Sequence, residues 1–191
     1  ITTEVSTFDE LSDDAKERAR QWYREATADD TYWYESVIDD ATQLLGMIGF
    51  IVKDIRFSVC WFQGDGASFT GTYSYQKGGL KALRQELGAK HPLMTIAQEL
   101  QALQARYFYQ ISASITPNGH AVHERSTHVD LEHAWHAVDE ATEDTFKELI
   151  IDLNQWIYHT LESEWEYQNS DEIVDDNIRA NDYTFTETGK R

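Results

Sequence analysis

The residue pattern with the clearest chemical meaning is a line of carboxylates. Glu140, Asp144, Glu148 and Asp152 recur every four residues, which on a helix stacks them into one ridge with steps of about 6 Å. Acids continue beyond it at Glu162, Glu164, Glu166, Asp171, Glu172, Asp175 and Asp176. Carboxylates at that step approximate the spacing of nucleic-acid phosphates, so such a face would fit a basic groove on a partner. The plainer alternative is a solvated face that keeps the protein in solution. A second pattern is histidine-rich: His120, His123, His128, His133 and His136 fall within 17 residues. Read on a strand, His120 and His128 share a face and His123 points the other way. With Asp130 or Glu132 these rings are candidate transition-metal ligands. Their spacing matches no compact ligand motif, and HExxH is absent. Packing within a sheet is the simpler account of them.

Other reactive residue types have weaker context. Gly64-Asp65-Gly66 could present backbone N–H groups to an anion, but no Lys and no helix follow, so a tight turn is the better reading. Cys60 is the single cysteine and lies beside Trp61 in an apolar run, where a buried structural role is the default. Ser68 follows the turn but sits in no GxSxG elbow. No element of nucleophilic or metal catalysis is complete, and the reading leans away from an enzyme and calls for no cofactor.

Charge distribution sharpens the picture. The chain has 191 residues and a net charge of −18, unsuited to gripping phosphates directly. Residues 1–40 carry 12 acids and 4 bases, a balance of −8, and residues 139–176 carry 13 acids and one base, a balance of −12. Residues 41–138, with 7 acids and 8 bases, are nearly neutral. A hydrophobic content of 41% with 24 aromatic residues excludes a disordered acidic tail. No apolar run is long enough to span a bilayer, no secretory leader opens the chain, and a lone cysteine fits a reducing compartment.

The elements that must position these residues follow from periodicity. Ser12 caps a first helix, Asp29 or Asp30 a second that ends at Gly49, giving an N-terminal helical pair over 9–48. A sheet-forming middle spans 50–131. Strands at 50–62 and 67–75 flank an Asp-Gly turn, helices run over 80–87 and from Pro92 to Arg106, and strands cover 107–116 and 120–131. Acidic helices fill 139–180, the longest at 142–168 with an apolar stripe from Phe146 to Trp165, the next at 171–180. A last strand covers 183–186. The expected fold is a single α+β domain, an antiparallel sheet of four to five strands packed against helices.

Two segments also resemble a known family. Phe57-Ser58-Val59-Cys60-Trp61-Phe62-Gln63-Gly64-Asp65-Gly66-Ala67-Ser68-Phe69 resembles the GFxxQGDGASF hairpin of small proteins found in bacteriophages and prophages, a match that is specific. Residues 117–127, from Pro117 through His120 and His123 to Thr127, resemble its GxYxHExxT strand more loosely, as residues 183–191 resemble its closing FTxDGRR. Val122 stands where an aromatic is usual and His128 where an apolar residue is. Members carry the label antitoxin of a toxin–antitoxin stability system, and the resemblance implies a phage or mobile-element origin.

Three expectations emerge. The first is a phage-encoded acidic protein in the bacterial host cytoplasm that inhibits a nucleic-acid-handling defence machine, a CRISPR or restriction complex. Its binding face would comprise Glu140, Asp144, Glu148, Asp152, Glu162, Glu166, Asp171, Glu172, Asp175 and Asp176. The partner is then a host protein or ribonucleoprotein with a basic groove, with no direct nucleic acid and no membrane. The second is an antitoxin or regulator that binds a protein through sheet aromatics, Trp61, Phe62, Phe69, Tyr73 and Tyr75. The third is a metal-dependent enzyme built on the 120–136 histidines.

Overall fold

A computed structural model describes residues 5–59, 64–120, 122–135 and 137–191. The chain is α+β, as its periodicity predicts. In order it comprises β1 (Ser6–Thr7), a 3-10 turn (Phe8–Glu10), α1 (Asp13–Ala26), α2 (Tyr32–Met47), β2 (Phe50–Ser58), β3 (Gly66–Ser74), α3 (Gly79–Leu87) and α4 (Pro92–Arg106). Then follow β4 (Ile111–Pro117), β5 (Thr127–His133), α5 (Glu140–Gln168), α6 (Asp171–Ala180) and β6 (Thr184–Phe185). Two compact units result: residues 1–35 with 163–191, and residues 36–162.

The larger unit holds an antiparallel sheet in the order β2-β3-β4-β5. One face is apolar. Phe50, Ile55, Phe69, Tyr73, Ile111, Ala113, Ile115 and Val129 are buried, as is the α5 stripe of Phe146, Leu149, Ile150, Leu153, Ile157 and Leu161. The rings of Tyr73 and Phe146 lie 5.4 Å apart and join the two layers. Where α2 hands over to β2, Gly49 has φ of +103°, and a Cβ there would stand 1.9 Å from the Ser74 carbonyl oxygen. Only glycine fits that crossing.

Two buried amides complete the ladder where strands are missing. Asn154 of α5 accepts from the Phe69 N–H at 3.0 Å and donates to the Glu124 carbonyl at 2.9 Å, joining β3 to the loop before β5. Gln104 of α4 donates to the Ile111 carbonyl at 2.8 Å and to the Tyr73 hydroxyl at 3.1 Å, and accepts from the Ile111 N–H at 3.2 Å. Burial pushes the Tyr73 phenol up to about 12, against the opposing pull of that Gln104 bond.

Three strands differ from expectation. The strand expected over 50–62 is seen as β2 to Ser58, with residues 60–62 outside the described residues. β4 begins at Ile111, four residues late, because Phe108 and Tyr109 adopt φ of 53° and 62° and reverse the chain after α4. The strand expected from residue 120 begins only at Thr127. The Asn118 N–H donates to the Ser126 carbonyl at 2.9 Å and the Ser126 N–H to the His123 carbonyl at 2.9 Å, which folds the intervening residues into a loop.

Both helices expected over 9–48 form, as α1 and α2, and in the smaller unit α1 packs on α6, a segment distant in sequence. Phe8, Leu11, Ala15, Ala19, Val174, Ile178 and Phe185 form its core. β1 and β6, both short, pair antiparallel with Ser6 opposite Phe185. Ser12 caps α1, its Oγ accepting from the Ala15 N–H at 3.4 Å. The Arg20 guanidinium grips Asp175 with two bonds, Nε–Oδ1 at 2.7 Å and Nη2–Oδ2 at 2.8 Å. Both side chains are mostly buried, 19% and 14% exposed. Removing one member of such a pair strands the other charge, so Arg20→Ala is expected to lower unfolding free energy by about 2 kcal/mol. Arg20→Lys, which keeps charge but loses the fork, should lose less; urea denaturation of the three proteins checks the order.

Candidate functional site

The carboxylate ridge is present and exposed. Glu140, Asp144, Glu148 and Asp152 lie on α5 facing solvent, opposite its buried stripe. Two cations touch it, both loosely: Lys147 Nζ stands 3.6 Å from Asp144 and 3.6 Å from Glu143, and Arg125 stands 3.8 Å from Glu148. Beside the ridge an open groove of about 500 Å³ separates α5 from the edge strand β5, lined among others by Arg125, His128, Asp144, Lys147, Glu148 and Ile151.

The electrostatics along the ridge are uneven. Asp152 is held above the ordinary carboxylate range, by partial burial first and by the Glu148 charge second. Asp139, which caps α5 by accepting from the Thr142 N–H at 3.0 Å, is held below it. The Tyr107 hydroxyl is the main cause and the Thr142 N–H and hydroxyl add to it. A raised acid favours the fold most below its unfolded pKa and loses that contribution as pH rises through its folded value. A depressed acid favours the fold above its unfolded pKa and loses that contribution as pH falls through its folded value. In an acid titration followed by carboxyl NMR, Asp152 is expected to protonate before Asp139. Glu148→Gln should bring Asp152 part of the way down; an unmoved Asp152 would remove the repulsion between the two.

The remaining acids expected on this face have other duties. Asp171 accepts from Arg24 Nη2 at 2.6 Å and Asp175 is held by Arg20. Asp176 pairs with Arg179 at 3.2 Å, and Arg179 also reaches Asp9 at 3.0 Å. Glu162 lies 3.2 Å from His159 Nδ1. Glu166 and Glu172 are exposed. Within the −12 segment the ridge thus has weak cationic contact, whereas Asp171, Asp175 and Asp176 of α6 are paired with arginines of α1 and α6.

The histidines do not assemble. His120 is an exposed loop residue, not a strand partner of His128. His123 Nδ1 lies 3.0 Å from Glu124, and His128 Nε2 lies 3.1 Å from Asp130 on the exposed face of β5. His133, at the end of β5, approaches the Tyr107 carbonyl at 3.3 Å. His136 lies outside the described residues. Among the described residues no three of His, Cys, Asp and Glu come together as a metal site.

Aromatic exposure also differs from expectation. Phe69 and Tyr73 are core residues, and Tyr75 stacks on Tyr109 at 4.4 Å. Trp61, Phe62 and Cys60 lie outside the described residues. Among the described residues the most exposed aromatics are instead Tyr32, Phe108, 80% exposed in its left-handed turn, and Trp135, 78% exposed just after β5, with Tyr167 and Tyr109 less so. The residues around 107–109 read as strand in the sequence, so their display was not foreseen.

Around the hairpin, Asp65 accepts from the Ser58 hydroxyl at 2.8 Å. A Cβ on Gly66 would come within 3.0 Å of His123 Cα, so the loop before β5 lies directly against this strand. Ser68 is fully buried, which removes it as an accessible nucleophile.

Residues 33–171 match the family described as Domain of unknown function (DUF8835), and the chain belongs to that family. Neither a curated protein nor a solved structure matches it. No helix among the described residues is long and apolar enough to cross a membrane.

Proposed function

We propose that the protein binds the basic groove of a partner through the α5 ridge and thereby inhibits a nucleic-acid-handling machine. The observation that carries this reading is the contrast between two acid sets. Asp171, Asp175 and Asp176 are matched by arginines within the fold, whereas Glu140, Asp144, Glu148 and Asp152 stand in a row and repel one another. A cationic groove would relieve that repulsion on binding and steer association. The hairpin's resemblance to phage and prophage proteins supports a bacterial defence complex, CRISPR or restriction, as the target. The test is plating of a targeted phage on cells that carry such a system and express either the wild type or a ridge with all four acids replaced by amides. Protection of the phage should require the acids; equal protection by the neutralised protein would end the electrostatic reading.

A second reading has its own observation. Phe108 and Trp135 present large aromatic surface of the kind that anchors protein interfaces. A regulator or antitoxin that docks there would tolerate neutralisation of the ridge but not replacement of those two side chains by alanine.

A further inference from the structure

In a chain with 34 acids against 16 bases, one arginine lacks an acid where it is most needed. Arg56 of β2 lies directly opposite Ser68 of β3, so both side chains leave the same face of the ladder. Arg56 Nε and Nη2 and Ser68 Oγ are all buried, and none has a hydrogen-bond partner among the described residues. Ser68 is wholly enclosed, while Arg56 as a residue keeps partial exposure, so an anion that reaches the buried edge must displace packing around it.

The identity of the two nitrogens matters. Nε and Nη2 form one edge of the guanidinium, with parallel N–H vectors that match two oxygens of a carboxylate or phosphate. A buried donor edge without an acceptor is strongly unfavourable, and native proteins seldom leave one unexplained. Nearby acids do not fill it: Asp65 accepts from Ser58, Glu124 lies against His123, and Asp54 is exposed on β2 without a bond to Arg56.

We propose that Arg56 and Ser68 form an oxyanion site that takes one phosphate or carboxylate group, Arg56 donating from Nε and Nη2 and Ser68 from its hydroxyl. A phosphoryl group offers a third oxygen to Ser68; a carboxylate must share one.

Thermal unfolding of the full chain in inorganic phosphate, phenyl phosphate or acetate, against chloride at equal ionic strength, tests this, with NMR of the Arg56 Nε–H as the local reporter. Saturable stabilisation with a shift of that resonance is expected for at least one anion. A response to both phosphates points to a phosphoryl ligand, a response to acetate alone to a carboxylate. Arg56→Lys keeps the charge but lacks the edge and should bind at least ten-fold more weakly; Ser68→Ala should bind several-fold more weakly. The proposal is overturned by stabilisation no greater than in chloride, by an unmoved Arg56 resonance, or by undiminished binding to Arg56→Lys. It is equally overturned if no anion binds and Glu124→Gln destabilises the protein as much as Arg56→Lys, since Glu124 is then the acceptor in solution.

Discussion

Replacing Glu140, Asp144, Glu148 and Asp152 together by Gln or Asn is expected to abolish the proposed inhibition while leaving the fold intact or slightly more stable. Three like-charge pairs four residues apart disappear, each worth about 0.2–0.5 kcal/mol of repulsion. Against this, the long contacts from Lys147 at 3.6 Å and Arg125 at 3.8 Å are lost, and exposed pairs of that kind contribute roughly 0–1 kcal/mol. Loss of Glu140 from the first turn removes a further favourable contact with the helix dipole, of about 0.3–1 kcal/mol. The balance for folding lies near zero. For a partner the balance is one-sided, because all four charges face the same way. Urea denaturation should therefore give nearly equal midpoints for the two proteins, and plating should separate them completely. The wild-type interaction should also weaken steeply with salt, since screening shortens from about 8 Å at physiological ionic strength to about 3 Å at 1 M.

The largest effect on stability is expected at Asn154. Its side chain is buried and serves two backbone groups, the Phe69 N–H and the Glu124 carbonyl. Asn154→Leu keeps similar volume but leaves both without a partner. Each stranded group costs about 1–3 kcal/mol, so a loss of about 3 kcal/mol is expected, a large part of a typical domain's stability. In urea this moves the midpoint down by about 1–2 M. Asn154→Asp can still accept from Phe69 but cannot donate to Glu124, and it places a charge in the interior, so it should be no better tolerated. A midpoint unchanged by Asn154→Leu would mean that the loop before β5 is not held to the sheet by this residue.

Much of this architecture is legible from local signals. Ser12 before an amphipathic run and Pro92 at a helix start are each decided by neighbours in sequence, and the structure honours them; β2 and β3 pair as an antiparallel hairpin, with Gly66 already in β3 opposite Ser58. The ridge is legible for the same reason, because a four-residue period needs only a helix to become a row. What sequence could not reveal is non-local. The arginines that neutralise Asp171 and Asp175 lie on α1, roughly 150 residues earlier, so those acids read as free. Tyr107-Phe108-Tyr109 has the composition of a strand, yet the fold imposes left-handed backbone there to bring β4 back along β3. The strand read from residue 120 likewise fails to form before Thr127, where Asn154 holds the Glu124 carbonyl and Ser126 bonds back to His123. The unsatisfied edge of Arg56 is invisible until β2 and β3 are in register.

The closure of the smaller unit by β1 and β6 has a consequence for synthesis. Ser6–Thr7 and Phe185–Thr184 are joined across almost the whole described length, and the core around Phe8 needs Val174 and Ile178. On the ribosome the first helix emerges early, with its Ala15 and Ala19 face and its arginines unmatched, and must wait through translation of more than a hundred residues. Residues 36–162 can meanwhile fold through contacts close in sequence, such as the β2–β3 hairpin. The acids of α6 then arrive as the clasp on α1.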